Sequence, residues 1–201
     1  MLYQIWRISG MIGRKRRQYM KKVLIVIDYQ ADFVDGSLSF PAAVALEGPI
    51  CTKIRKARAE GTEVIFTFDT HSPDYLSTQE GRNLPVAHCI EGTTGWELYG
   101  EVAQLQQERD ICLCKPGFGS LELAELLRDR QYEEIELVGV VSNICVLSNA
   151  ILAKAALSEA LVTVDAACTA SNDPSLHEKA LDLMESLHIR VTNRPAKTPV
   201  V

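Results

Sequence analysis

The chain has 201 residues, of which 47% are hydrophobic and 23% are charged, and its formal net charge at pH 7 is −5. This composition is typical of a globular domain large enough to bury a core. The acidic balance argues against nucleic acid as the main partner. No apolar run approaches the roughly 18 residues that a membrane span needs, so no membrane partner is expected.

The amino-terminal residues differ from the rest of the chain. Residues 1–19 contain a basic cluster and show no periodicity that would join them to the next element. We predict an extension at 1–19, either a flexible basic tail or the product of an upstream start site, followed by one domain at 20–201. The basic cluster follows the apolar residues instead of preceding them, which does not fit a signal peptide.

Cysteine usage indicates the compartment. The six cysteines lie in apolar or strand-like contexts and form no CxxC pair. Reduced thiols are typical of such a pattern, so we expect a cytoplasmic protein without a disulfide framework.

From Lys22 onward, runs typical of buried strands alternate with helical patterns. Residues 23–27 (VLIVI) are continuously apolar, as in a strand covered on both faces. Gly61 marks the end of the first helix, and Ser120 can cap the third. Strands are predicted at residues 23–27, 63–68, 111–114, 134–140, 160–165 and 189–193. Helices are predicted at residues 44–60, 96–108, 121–130, 143–157 and 174–187.

The alternation of strands and helices predicts the architecture. Strands joined by helices pair in parallel through right-handed crossovers, which gives a three-layer α/β fold with the sheet between helices. The long segment 69–95, which contains two prolines, is predicted to be irregular. His177 and His188 lie in or beside the last helix and are expected to be surface or packing residues.

Reactive side chains follow four of the predicted strands. They are Asp28 after the first strand, Asp69 and His71 after the second, Lys115 after the third and Cys145 after the fourth. The carboxyl ends of parallel strands meet at one edge of the sheet, where ligands bind. The set contains a nucleophile, a carboxylate that can act as its base, a cation and two potential metal ligands. This edge is therefore the predicted active site.

Each of these residues also has a structural interpretation. Asp28 can cap a turn, Lys115 can be a solvated loop lysine, and Cys145 can be a packing residue in a helix. Their common location favours the catalytic interpretation. In that case the positive end of the helix that begins near Asn143 lowers the pKa of the Cys145 thiol and favours the thiolate. Fast alkylation of Cys145, below the pH at which free thiols react, is then expected.

A metal site is predicted in the segment that follows the second strand. Asp69 and His71 are two residues apart on an extended backbone, so they point to the same side. Glu80 and His88 can return to them through the loop. Two imidazoles and two carboxylates suit Zn²⁺, Mn²⁺ or Fe²⁺ better than Ca²⁺. The alternative is that His88 caps the loop and Glu80 is exposed to solvent.

Several motifs resemble those of the isochorismatase-like cysteine hydrolases, whose best-known members are nicotinamidases. They occur in order over about residues 21–193 and are DYQADF (28–33), FDTH (68–71), PVAHCIEGTTGWEL (85–98), CKPGFGS (114–120) and VGVVSNIC (138–145). The resemblance implies a Rossmann-like fold with a six-stranded parallel sheet and a catalytic triad of Asp28, Lys115 and Cys145. Members that hydrolyse isochorismate lack the nucleophilic cysteine, so Cys145 favours an amidase.

The resemblance also implies an oxyanion hole and a substrate pocket. The family often has a cis peptide bond before the cysteine, here at Val140–Val141, which would aim the amides of Val141 and Cys145 at one point. Phe33 matches an aromatic residue that lines the substrate pocket, and Tyr75 is predicted to line it too.

For the metal, the resemblance implies the same ligands as the spacing. Nicotinamidases hold an ion with an Asp-x-His pair, here Asp69 and His71, and a distal histidine, here His88. The fourth ligand varies in the family, and Glu80 is the candidate because no histidine lies between residues 71 and 88. The tryptophan that many nicotinamidases carry three residues before the distal histidine is Pro85 here, a departure that bears on the substrate and not on the triad.

The predicted reaction is hydrolysis of a small carboxamide through a thioester, with release of ammonia, as in a nicotinamidase or pyrazinamidase. The ion, preferably Zn²⁺, would activate water or anchor the pyridine nitrogen. The first alternative is an N-carbamoyl or ureido substrate, or another substrate of the family. A catalytically inactive binding domain is the second, and a redox-sensing thiol is disfavoured because no resolving cysteine is evident. Relatives are often oligomeric, so a homo-oligomer is expected.

Overall fold

The structure is a computed structural model that describes residues 20–195. The extension predicted at 1–19 lies outside the described residues, as do residues 196–201. The strands are β1 (Lys22–Ile27), β2 (Glu63–Asp69), β3 (Ile111–Lys115), β4 (Glu134–Val140), β5 (Leu161–Ala170) and β6 (Arg190–Thr192).

Helices connect these strands. They are α1 (Ala31–Val34), α2 (Pro41–Val44), α3 (Glu47–Ala59), α4 (Gln79–Asn83), α5 (Gly100–Leu105), α6 (Leu121–Arg130), α7 (Leu147–Ala156) and α8 (Pro174–Ser186). The longest two, α3 and α8, have 13 residues each, and none of the helices in the described range is long and apolar enough to cross a membrane.

The six strands form one parallel sheet in the order β3-β2-β1-β4-β5-β6. Each face of this sheet carries its own apolar core. Leu24 and Val26 of β1 pack in the cluster that includes residues of α3, whereas Val23, Ile25 and Ile27 pack in the cluster that includes residues of α6, α7 and α8. Alternate residues of a strand point to opposite faces, so both faces of β1 are covered. The predicted three-layer α/β fold with a six-stranded parallel sheet is confirmed.

The helix predicted at 96–108 is wrong over much of its length. The chain forms a 3₁₀ turn at Thr94–Trp96 and then the short helix α5. Between them, the Glu97 carbonyl accepts a hydrogen bond from the Ala31 N–H, and the Tyr99 N–H donates to the Tyr29 carbonyl, both at 2.9 Å. These bonds to the chain after β1 hold the backbone extended and prevent a continuous helix.

Strand β5 continues beyond the predicted end at residue 165. It runs to Ala170, which pairs with Val140 after a register shift within β4. Gly139 lies at this shift with a φ of +110°, and a Cβ atom there would lie 2.0 Å from the Ile27 carbonyl oxygen. Only glycine permits this close approach of β4 to β1.

Candidate active site

The reactive residues of the predicted site lie together at the carboxyl edge of the sheet. Asp28 follows β1, Asp69 and Lys115 are the last residues of β2 and β3, and Cys145 lies in the turn after β4. The order β3-β2-β1-β4 makes these four strands neighbours. Their ends therefore bring the four side chains to one position.

Lys115 connects the other two residues of the predicted triad. Its Nζ lies 2.7 Å from Oδ2 of Asp28 and 3.5 Å from Sγ of Cys145, and it donates to the Gly117 carbonyl at 2.9 Å. All three side chains are buried. Asp28 has a left-handed backbone (φ 46°), and its Oδ1 accepts a hydrogen bond from the Thr67 hydroxyl at 2.6 Å. The carboxylate is thus held by a cation on one oxygen and a hydroxyl on the other.

Burial dominates the electrostatics of the nucleophile. Cys145 is 4% exposed. Burial and the nearby Asp28 carboxylate raise the pKa of the Cys145 thiol well above its usual value, although the Lys115 ammonium opposes this shift. Burial also raises the pKa of Asp28, against the charge of Lys115. The expectation of a lowered thiol pKa is therefore wrong: the raised pKa favours the protonated thiol at neutral pH, with Lys115 paired to Asp28.

The turn that carries Cys145 is not the regular helix start that was expected. Residues Ser142–Val146 form one π turn before α7 begins. The Val141 carbonyl accepts hydrogen bonds from the N–H groups of Ile144 (3.0 Å) and Val146 (3.2 Å). The Val140–Val141 peptide bond is cis, as the resemblance implies. Val141 and Cys145, the predicted oxyanion donors, thus belong to one short segment.

Asn149 joins this turn to the loop after Lys115, a role that the sequence did not indicate. Its Nδ2 donates to the carbonyls of Cys145 (2.8 Å) and Phe118 (3.0 Å), and its Oδ1 accepts from the Ser120 N–H at 2.9 Å. Asn149 is fully buried. Its position one helical turn after Cys145 is the only signal that could have suggested a link to the nucleophile.

Gln30 has a similar role between β1 and β2. Its Oε1 accepts from the Asp69 N–H at 2.8 Å, and its Nε2 donates to the carbonyls of Asp69 (3.0 Å) and Trp96 (2.7 Å). Gln30 is buried. The amide therefore fixes the backbone of Asp69 relative to Asp28, and its place in the DYQADF motif was the available signal.

The four predicted metal ligands lie together beside the triad. One ligand atom from each of Asp69, His71, Glu80 and His88 lies within 4.8 Å of the others. Glu80 reaches the group from α4, whose start is capped by the Thr78 hydroxyl accepting from the Gly81 N–H at 3.0 Å. The loop that the sequence left irregular thus contains a helix that carries one candidate ligand.

The geometry of this group fits a tetrahedral divalent ion. Oδ2 of Asp69 lies 3.0 Å from Nε2 of His71 and 3.3 Å from Nε2 of His88. Oε1 of Glu80 lies 3.8 and 3.9 Å from the same two nitrogens. Ligands about 2.0–2.1 Å from a tetrahedral zinc ion are separated by about 3.3 Å, which is within this range. Nδ1 of His88 contacts the Val86 carbonyl at 2.8 Å, so Nε2 is left for an ion.

The two predicted pocket residues flank the metal-ligand group. The Phe33 ring centroid lies 5.7 Å from that of His88. The Tyr75 ring lies 4.6 Å from His71 and 4.8 Å from His88, and its hydroxyl donates to the Leu84 carbonyl at 3.0 Å. Both aromatic side chains are buried. Tyr75 therefore packs directly against the two imidazoles.

Known proteins are similar to this chain in sequence and in fold. A family model for the isochorismatase domain matches residues 22–195. An uncharacterized isochorismatase family protein, PncA of Bacillus subtilis (strain 168), is 35% identical over 144 residues, which cover 66% of this chain and 78% of that protein. The crystal structure of the B. subtilis nicotinamidase/pyrazinamidase PncA is 32% identical, with a TM-score of 0.78 over 86% of this chain and 99% of that chain. The pyrazinamidase of Pyrococcus horikoshii in complex with zinc is 25% identical, with a TM-score of 0.76 over 87% and 99%.

The fold and the grouped side chains define a hydrolase with a thiol at the carboxyl edge of a parallel sheet. The chain belongs to the isochorismatase family, as the sequence motifs predicted. Its place in this family makes it a hydrolase, as predicted.

Proposed function

We propose that the protein is a cysteine amidase that converts a small carboxamide to a carboxylic acid and ammonia through a thioester. The observation that carries this proposal is the contact of Lys115 Nζ with both Asp28 (2.7 Å) and Cys145 (3.5 Å). A nucleophile, a base and a cation thereby share one buried position, which is the arrangement that nucleophilic catalysis by a thiol requires.

In the first step, Asp28 is the base for the Cys145 thiol. The thiol proton moves to the Asp28 carboxylate as Sγ attacks the carbonyl carbon and the carbonyl electrons move to oxygen. The raised pKa of Asp28 favours acceptance of this proton. Lys115 stays charged and stabilises the negative charge as it develops on sulfur.

The backbone N–H groups of Val141 and Cys145 are the proposed donors to the resulting oxyanion. In support of this assignment, both residues belong to the short segment that follows β4 and carries Sγ. Removal of one donor from an oxyanion hole typically lowers kcat by about 10²–10³-fold, so the shape of this turn matters to the rate.

Asp28 then returns the proton to the nitrogen as the carbon–nitrogen bond breaks, which releases ammonia and leaves the acyl group on Sγ. In the second half, water attacks the thioester and gives a proton to Asp28. The carboxylic acid departs, and the proton returns to Sγ. One carboxylate thus acts alternately as base and acid.

For the metal, we propose Zn²⁺ bound by Asp69, His71, Glu80 and His88. The ligand geometry and the zinc complex of the P. horikoshii pyrazinamidase support this choice, and the same ligands would suit Mn²⁺ or Fe²⁺. A bound ion would supply Lewis-acid chemistry, or a coordination site for a ring nitrogen, beside the triad.

The proposed substrates are nicotinamide, pyrazinamide or a carboxamide of similar size. The names of the solved relatives support this choice. Phe33 and Tyr75 would supply aromatic surface, and the burial of all three triad residues favours a small molecule. A cytoplasmic location and a homo-oligomeric state remain predictions, which cell fractionation and light scattering would test.

Ammonia release from nicotinamide, pyrazinamide and N-carbamoyl compounds, each with and without a chelator, tests the function. We expect hydrolysis of a carboxamide by the wild type and its loss in Cys145→Ala, with an unchanged circular dichroism spectrum. Cys112→Ala, which removes an exposed thiol, is the matched control. Mass spectrometry of a quenched reaction should show the acyl group on Cys145.

Three outcomes would contradict part or all of the proposal. Substantial ammonia release by Cys145→Ala would exclude covalent catalysis by this thiol. A wild type that hydrolyses none of the compounds would favour the catalytically inactive binding domain, and preference for N-carbamoyl compounds would move the substrate to the ureido class.

A further inference from the structure

His177 lies against the turn that carries Cys145, although the sequence suggested only a surface or packing role for it. Its Nδ1 lies 2.9 Å from the hydroxyl oxygen of Ser142. Ser142 is fully buried and is the first residue after Val141. The contact therefore connects α8 to the segment that contains both proposed oxyanion donors.

Other hydrogen bonds hold His177 in place at the start of α8. Its N–H donates to the Asp173 carbonyl at 2.9 Å. Oδ1 of Asp173 caps the helix by accepting from the N–H groups of Ser175 (2.8 Å) and Leu176 (3.0 Å). Because this first turn is fixed, the imidazole meets Ser142 from a defined position.

The imidazole is suited to bind a neutral hydroxyl. Burial lowers the pKa of His177, with the Glu178 carboxylate opposing and Arg194 adding to the shift. The neutral ring therefore predominates at pH 7. A neutral imidazole nitrogen can either accept the Ser142 hydroxyl proton or donate to its oxygen.

We propose that His177 is a positioning residue that fixes the backbone of the oxyanion hole through Ser142. The Val141 carbonyl is held by the N–H groups of Ile144 and Val146. The hydroxyl of the next residue, Ser142, is held by His177 of α8. Together these contacts restrain the backbone at Val141, whose N–H is one of the two proposed donors. The inference rests on the proposed function, because the donor matters only if an oxyanion forms.

The packing of α8 does not depend on this contact. Leu181 and Met184 of α8 and the following Ile189 are buried in the core on that face of the sheet. His177 itself is only partly buried. Loss of its side chain should therefore leave the helix docked and affect chiefly the turn at Ser142.

Five variants of the full chain test the inference: His177→Leu, His177→Asn, Ser142→Ala, the double variant His177→Leu/Ser142→Ala and the control Leu176→Ala. Asparagine keeps a polar atom near the position of Nδ1, whereas leucine removes it. The control shortens an exposed neighbour on the same helix turn. The measurements are kcat and KM for the best carboxamide, the thermal midpoint, and the inhibition constant of the corresponding aldehyde, whose thiohemiacetal oxygen would occupy the oxyanion hole.

We expect His177→Leu and Ser142→Ala to lower kcat about tenfold, a fraction of the loss seen when an oxyanion donor is removed, with KM within about twofold of the wild type. The inhibition constant of the aldehyde should rise by the same factor. His177→Asn should recover most of kcat, and Leu176→Ala should match the wild type. The double variant His177→Leu/Ser142→Ala should be no slower than either single variant, because both remove the same contact.

The inference is overturned if His177→Leu and Ser142→Ala keep the kcat of an active wild type. It is also overturned if asparagine recovers no more than leucine, or if only KM changes. If His177→Leu fails to fold, Ser142→Ala and the aldehyde measurement decide alone. If the wild type hydrolyses no amide, the proposed function is contradicted, and so is this inference, which rests on it.

Discussion

The carboxylate of Asp69 lies 3.2 Å from the ammonium of Lys115 through Oδ1, and its other oxygen faces the imidazoles of His71 and His88. Burial alone would raise the pKa of Asp69, but the hydrogen bonds with the two histidines and the charge of Lys115 hold it below its usual range. One ionised side chain therefore belongs to both the metal-ligand group and the catalytic group. A substitution in the metal-ligand group should therefore change the electrostatics of the catalytic group, and a substitution in the catalytic group should change those of the metal-ligand group.

Removal of the Asp28 charge should make Cys145 more reactive toward alkylation while it stops hydrolysis. The Asp28 carboxylate raises the pKa of the thiol, and Lys115 lowers it. Asp28→Asn should lower that pKa and increase the thiolate fraction at neutral pH. We expect faster iodoacetamide labelling of Cys145 in this variant than in the wild type, measured by peptide mass spectrometry between pH 6 and 9.

The exposed Cys112 serves as the internal reference in that experiment, because its labelling should not differ between the two proteins. In the wild type, labelling of Cys145 should rise with pH and stay slow at pH 7. Fast labelling of wild-type Cys145 at pH 6 would show that the thiol is ionised at rest and that the assignment of the proton to sulfur is wrong.

Glu80→Gln should weaken metal binding. Glu80 offers one of the four candidate ligand atoms, and glutamine replaces its charged oxygen with a neutral amide. We expect the affinity for Zn²⁺ to fall by more than about 100-fold, beyond the effect of a residue that only supports a ligand. Metal analysis after dialysis against a competing chelator measures this. The control is Glu91→Gln, an exposed glutamate of the same segment, and equal retention of zinc by both variants would remove Glu80 from the site.

Asn149→Ala should destabilise the protein by about 2–3 kcal/mol, because three backbone groups lose a partner, two of them in buried hydrogen bonds. Those groups belong to Ser120, Cys145 and Phe118. Asn83→Ala is the matched control, since its side chain is exposed and donates to the Gln79 carbonyl within its own helix. Urea denaturation gives both free energies of unfolding. Equal values would mean that the Asn149 amide does not hold the turn.

Gly139→Ala should cost more than about 3 kcal/mol, because a Cβ would lie 2.0 Å from the Ile27 carbonyl oxygen on a backbone with φ of +110°. Gly48→Ala is its counterpart. Gly48 lies in α3 with no atom within 4 Å of the added Cβ, so alanine should stabilise the protein by about 0.5–1 kcal/mol. Thermal unfolding of both variants tests the pair, and tolerance of alanine at Gly139 would contradict the close approach of β4 to β1.

The sequence alone was sufficient to predict the alternation of strands and helices and to identify the reactive residues at the strand ends. The run VLIVI and the end of α3 just before Gly61 depend on local properties, namely side-chain burial and backbone conformation. The motifs placed Asp28, Lys115 and Cys145 in three separate segments. Parallel strands must place their carboxyl ends on one edge, so these segments could be assigned to a single site before the strand order was known.

Other features depend on contacts between segments distant in the chain. Hydrogen bonds between residues 29–31 and residues 97–99 prevent part of the helix predicted at 96–108. The bonded residues are more than 60 positions apart in the chain. The roles of Asn149 and His177 could not be predicted from the sequence. Their hydrogen-bond partners, the Phe118 carbonyl and the Ser142 hydroxyl, lie far from them in the chain.

The protonation state of Cys145 also depends on contacts that the sequence does not reveal. Sequence put a thiol near the start of a helix, where a lowered pKa is the ordinary expectation. The tertiary structure buried that thiol beside Asp28 and reversed the direction of the shift. Sequence determined which groups are present at the edge of the sheet, whereas only the packed structure set the burial and distances on which their charges depend.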